Sequence, residues 1–108
     1  MTPMEKLRAT QKAEAQKRKQ YPVAEGVLKY FPNAIKYVAH VSYTGNEQHH
    51  PGEPLHWDKS KSTDQADALL RHLIDYLSGE EVDSDGIYHL GKTAWRALAL
   101  LEEFLENK

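Results

Sequence analysis

The chain has 108 residues, 40% hydrophobic and 28% charged, with a formal net charge of −2 and no cysteine. This is enough for one domain with one core. The missing thiols exclude disulfides and thiolate metal centres, so any ion must be held by oxygen or imidazole, which points to Mg²⁺ or Mn²⁺ or to a histidine-rich zinc site. There is no apolar run of about 18 residues to span a membrane. The charged start from Glu5 onward does not read as a secretory signal, so a cytoplasmic location is expected.

The charge is unevenly placed. Residues 1–19 hold six basic and two acidic groups, whereas residues 20–108 hold eight basic and fourteen acidic ones. The body therefore lacks the basic face of a nucleic-acid binder. The first 20 residues are rich in Ala, Lys, Gln and Glu, good helix formers. Their apolar stripe begins at Met4 and Leu7 and fades at Gln11, Glu14 and Arg18. The expectation is a basic N-terminal helix over 1–20, followed by a single helical domain over 21–108.

Pro22, Gly26 and Pro32 punctuate the next stretch around an apolar cluster of Val27, Leu28, Tyr30 and Phe31. Pro32 suits the first turn of a helix, and Ile35, Val38, Ala39 and Tyr43 continue it to Thr44. His40, among Ala39 and Val41, reads as a packed histidine. Residues 45–62, with two glycines, two prolines and Asn46, predict a long loop. Its three histidines and Trp57 argue that it is ordered. His49 and His50 read as exposed loop residues or as metal or substrate contacts.

Two amphipathic helices follow. One is predicted from Thr63 to Leu77, capped by Ser62 or Thr63 and stopped at Ser78-Gly79. Its wheel sets Ala66, Leu70, Leu73 and Leu77 toward the core and Asp64, Asp67, Arg71 and Asp75 outward, with His72 at the border. The other is predicted from Ile87 to Asn107, with Ser84 and Asp85 as caps. Leu90, Ala94, Ala97, Leu98, Leu101, Phe104 and Leu105 fill one arc, opposite Lys92, Arg96, Glu102 and Glu103. No strong period-2 segment occurs. The fold class is therefore all-α: a small helical bundle with a long ordered loop at about 45–62. Tyr88, Trp95 and Leu77 lack obvious cover in a monomer, so an oligomer is expected.

The acidic groups carry the clearest chemistry. Asp67, Arg71 and Asp75 form either a solvated i, i+4 ladder or a face that holds a cation. Glu80, Glu81, Asp83 and Asp85 crowd four carboxylates into six residues, a density that calls for a neutralising cation unless water screens it. The spacing Asp64-x-x-Asp67 followed by Glu80-x-x-Asp83 would let two pairs surround one or two Mg²⁺ ions. His89, with Lys92 and Arg96 one and two turns later, would face phosphate, and Trp57 would stack on a base or pin the loop. Neither phosphate-cradling glycine motif is present.

From about Ala39 to Glu102 the chain resembles the N-terminal domain of phage dATP/dGTP diphosphohydrolases. The likeness is carried by Gly45-Asn46, His56-Trp57, Asp67 with Arg71-His72-Leu73, Gly79-Glu80 with Asp83, His89-Leu90-Gly91, and the helix from Ala97 to Glu102. Such proteins are similar to all-α, MazG-like nucleotide pyrophosphohydrolases. The resemblance implies Mg²⁺-dependent cleavage between the α- and β-phosphates of a purine deoxynucleotide, Mn²⁺ being the possible substitute. On this reading Asp64, Asp67, Glu80 and Asp83 hold metal, and Asp67, His72 and Glu80 are catalytic. Asn46, Trp57, Arg71, His89 and Lys92 bind substrate. The chain departs from the MazG-like pattern in offering Asp64 and Asp67 where two glutamates stand, and in placing Glu80 and Asp83 in a turn. The competing readings are a phage protein that binds a nucleotide without cleaving it, and a helical oligomeric interaction protein.

Overall fold

A computed structural model describes residues 1–108. The chain divides into two compact units, Met1–Asn33 and Ala34–Lys108. The first unit holds α1, Pro3–Arg18. Thr2 caps it by accepting from the Glu5 backbone N–H, while the Glu5 side chain accepts from the Thr2 N–H. Lys17 and Arg18 stand in the last turn, where the helix end favours cations. Met4 and Leu7 are exposed, as the fading stripe requires. A five-residue π-helix, Ala24–Leu28, follows.

Helix α2 runs Pro32–His49, starting at the expected proline but continuing five residues past Thr44. Gly45 costs the helix only about 1 kcal/mol relative to alanine, and Glu47 and Gln48 are good helix formers. The helix stops at His49 because His50 precedes Pro51, and a residue before proline is pushed out of the helical region. The ordered loop is thus shorter than predicted. It holds only a one-turn 3₁₀ helix, Lys59–Lys61.

Helix α3, Gln65–Leu77, starts two residues late, with Asp64 rather than Ser62 or Thr63 at its N-cap. Gly79, at φ +99°, ends it as expected. The next segment folds back on itself. Asp83 N–H donates to the Ile87 carbonyl at 2.8 Å, and Gly86, at φ +83°, allows the tight turn. A lone antiparallel bridge pairs Val82 with Tyr88. Helix α4 then runs His89–Glu106, with Tyr88 and not Ser84 or Asp85 at its N-cap.

The packing turns most of the predicted apolar arc of each helix outward. On α3 the buried side chains are Gln65, Ala68 and His72; on α4 they are His89, Gly91 and Ala99. Leu70, Leu77, Leu98 and Leu101 are half exposed or more, and Ala66 faces solvent. The reason lies in the side chains that interlock between the helices. His72 meets His89, and Gln65 meets Arg96, with Ala68 and Ala99 small enough to let the backbones approach. Polar contacts therefore fill the seam between the two helices, around a buried apolar set of only Ala68, Ile87 and Ala99.

Helix α2 adds to this pair through Tyr37. Its hydroxyl accepts from Tyr88 N–H at 2.9 Å, and its ring lies over Gly91. A Cβ at position 91 would sit 2.4 Å from Tyr37 Cε1. Gly91→Ala is therefore expected to cost about 1–3 kcal/mol through overpacking. Thermal unfolding checks this, and a second change, Tyr37→Leu, should recover part of the loss.

Candidate functional site

The end of α2, the loop and the inward arcs of α3 and α4 enclose a cleft of about 610 Å³, within the range of small-molecule sites. Its aromatic wall is a pair of tryptophans. Trp95 is anchored by its indole N–H donating to Ser42 Oγ at 2.7 Å, and Trp57 meets it edge-on at 5.4 Å. Lys59 Nζ lies 4.9 Å from the Trp57 ring centre. Trp57 thus packs the loop against Trp95 and lines the cleft.

Arg96 Nη1 donates to Gln65 Oε1 at 2.8 Å and to Ser62 Oγ at 3.1 Å. Its Nη2 and Nε bond nothing in the chain, which leaves charged donors for an anion. Two residues lining the same cleft each hold a buried amide atom without a partner. Asn46 donates through Nδ2 to the Glu53 carbonyl, leaving buried Oδ1 unpaired; Gln65 spends Oε1 on Arg96, leaving buried Nε2 unpaired. These residues are 6% and 2% exposed, and a buried polar atom normally has a partner. A ligand with one donor and one acceptor edge would complete both.

At the deep end, Nδ1 of His72 and Nδ1 of His89 are 3.0 Å apart. One must carry the proton and donate to the other, so the pair holds at most one charge. Asp75 and Glu80 each approach His89 Nε2 to 3.9 Å, which favours a proton on that atom and leaves His72 Nδ1 as the donor. Burial, reinforced by the Lys92 charge, pulls the His72 pKa below its ordinary value. His72 is then neutral at pH 7, with a lone pair on Nε2.

The crowded carboxylates find their cation within the chain. Lys92 Nζ lies 2.7 Å from both Asp83 Oδ2 and Asp85 Oδ2. Gln48 also donates to Asp85. Burial alone would lower the Lys92 pKa, but the two carboxylates outweigh it and raise it. The Lys92 hydrogen bond brings Asp83 down to about 2. Because the folded value lies below the unfolded 3.8, this stabilisation is complete above about pH 4 and is lost as pH falls toward 2. Asp83→Asn should then cost on the order of 2 kcal/mol at pH 7 and nearly nothing at pH 2. Urea unfolding at the two pH values checks this.

The four acids expected to surround Mg²⁺ are not gathered. Asp64 caps α3, where its Oδ1 accepts from Ser62 Oγ, and Asp67 is exposed without a partner. Their outward direction is the one the helix wheel predicts. Asp83 is clamped by Lys92, which is thereby neutralised and is not a free phosphate contact. Glu80 instead lies with Asp75 and His89, one donor atom from each within 4.8 Å of the others; His72, Asp83 and His89 form a second such group. Mg²⁺ prefers an octahedral shell of oxygens. The expected cage does not form within one chain, and the donors that do meet are mixed nitrogen and oxygen. Arg71 is exposed, and so is His40, which stacks on Tyr43 instead of being packed.

Sequence reasoning missed Gln65, for which no signal existed, and the grouping of His50, Glu53 and His56, whose even three-residue spacing was visible. Of the predicted site residues, the fold assembles Asn46, Trp57, His72 and Lys92 around the cleft, with His89 behind His72.

The fold and the site define a small helical domain with a cleft lined by polar and aromatic side chains. A family model described as dATP/dGTP diphosphohydrolase, N-terminal, matches residues 9–108, and the chain belongs to that family. No curated protein and no solved structure gives a match. No helix is long and apolar enough to cross a membrane.

Proposed function

We propose that the cleft binds a purine deoxynucleoside triphosphate and that the domain serves its hydrolysis to monophosphate and pyrophosphate. The observation that carries this is the meeting of the two unpaired amide atoms, Asn46 Oδ1 and Gln65 Nε2, with Trp57 and Trp95 in one cleft. A purine edge offers both a donor and an acceptor, and its ring has faces for aromatic contact. Arg96 is the phosphate ligand of this reading, and neutral His72 is the group able to take a proton from attacking water. The family description supports the substrate class. Mg²⁺, or Mn²⁺ in its place, is the proposed cofactor.

Incubation with each of the four deoxynucleoside triphosphates, with Mg²⁺ or Mn²⁺, followed by separation of products, tests this. Monophosphate and pyrophosphate from dATP or dGTP are expected; no product from any of the four at high protein concentration rules hydrolysis out. The scattered Asp64 and Asp67 favour one second reading, in which the cleft holds the nucleotide without cleaving it. Thermal stabilisation by dATP or dGTP that survives EDTA, with the ligand recovered intact, is its signature.

The proposal includes a second copy of the chain. The apolar arcs of α3 and α4 leave Leu70, Ile74, Leu77, Leu90, Leu98, Leu101, Phe104 and Leu105 between 46% and 72% exposed. So many half-exposed large apolar side chains on two helices are what a second copy would cover.

A further inference from the structure

We propose that His50, Glu53 and His56 form a binding site for a transition-metal dication of the zinc class, separate from the acidic groups around His89. One donor atom from each of the three lies within 4.8 Å of the others. The imidazole rings of His50 and His56 are 4.3 Å apart, and His50 Nδ1 is 3.1 Å from Glu53 Oε2. Three such ligands are typical of a zinc centre that keeps a fourth position open. Two imidazoles with a carboxylate and no thiolate select borderline ions such as Zn²⁺, Co²⁺ or Ni²⁺ over Mg²⁺.

The hydrogen bonds set the ligands in the right form. His56 Nδ1 lies 2.9 Å from the Pro54 carbonyl, which can only accept. Nδ1 therefore carries the proton, and Nε2 holds the lone pair, the arrangement found behind metal-bound histidines. The loop backbone is held as well. His50 N–H donates to the Asn46 carbonyl and Glu53 N–H to the His50 carbonyl; the buried Asn46 side chain donates to the Glu53 carbonyl. Pro51 and Pro54 remove further backbone freedom, and Gly52, at φ +79°, makes the turn that brings the two histidines together. His50 and His56 both line the cleft, so the open coordination position is available to a ligand bound there.

Binding requires no chemistry beyond exchanging water and one proton for the metal, and it stands whether or not the cleft takes a nucleotide. Calorimetric titration of the full chain with Zn²⁺ alone should give one tight site, and Co²⁺ should develop the visible absorption of a tetrahedral N/O centre. His56→Ala and His50→Ala should each weaken Zn²⁺ by more than about 100-fold, beyond what removing an outer hydrogen-bond partner costs. Glu53→Gln should weaken it less. Circular dichroism confirms that these loop variants keep their helices. Zn²⁺ binding that survives His50→Ala/His56→Ala but is lost in His72→Gln would place the ion at the buried pair and overturn the proposal, as would no Zn²⁺ binding by the parent chain.

Discussion

Arg96→Ala is expected to weaken dATP and dGTP binding by about 10–100-fold, the equivalent of losing charge-assisted hydrogen bonds worth roughly 1.5–3 kcal/mol. The guanidinium is held in place by Gln65 and Ser62 through Nη1 alone, 5.7 Å from the Trp95 ring centre, and keeps its remaining donors for an anion. Calorimetry in EDTA isolates this effect from any metal. Arg96→Lys should recover only part of the affinity, because an ammonium cannot keep the planar fork that reaches Gln65, Ser62 and phosphate at once. Gln65→Glu puts a carboxylate beside Arg96 in place of the free amide donor, so it too should weaken binding while leaving the helices intact. Unchanged affinity in Arg96→Ala, with the fold intact, would move the phosphate site elsewhere.

Leu98→Glu combined with Leu101→Glu is expected to convert an assembly into single chains. Both residues lie on the outward arc of α4, 51% and 53% exposed in one copy. A charge there costs little in a monomer but much in a closed apolar interface. Light scattering after gel filtration should show a multiple of the chain mass for the parent and the chain mass for the variant. The parent's melting temperature should rise with concentration, and the variant's should not. A parent chain that runs as a monomer at all concentrations contradicts the proposal.

The two substitutions probe opposite sides of one helix, which explains what the sequence revealed and what it hid. The helices themselves were legible, since Pro32, Ser78-Gly79 and the apolar periodicity after Thr63 mark their limits to within a few residues. The end of α2 was not. Gly45 and Asn46 read as loop punctuation, yet the helix absorbs both and the helix-compatible Glu47-Gln48 carry it on to His49. Periodicity also identifies an apolar arc without saying what covers it. For α3 and α4 that arc faces away from the rest of its own chain, so His72, His89 and Gln65, placed at the border or ignored, became the buried contacts. Asp64 and Asp67 followed the wheel outward. The crowding from Glu80 to Asp85 did signal a nearby cation, and for Asp83 and Asp85 that cation is Lys92, nine and seven residues on. The cleft residues came from four segments, and the local hints at Asn46, Trp57, His72, Lys92 and Arg96 did not say that they would meet.

The five residues by which α2 outruns its expected end also polarise the cleft. An 18-residue helix carries the equivalent of about half a negative charge at its carboxyl end, felt within the last turn. That pole terminates at His49, directly before the histidine-rich turn. The His50 end of α2 consequently favours cations, whereas the Arg96 guanidinium in the same cleft favours anions. A molecule bearing an uncharged ring at one end and a polyanionic tail at the other enters this gradient in one orientation, with its tail toward Arg96.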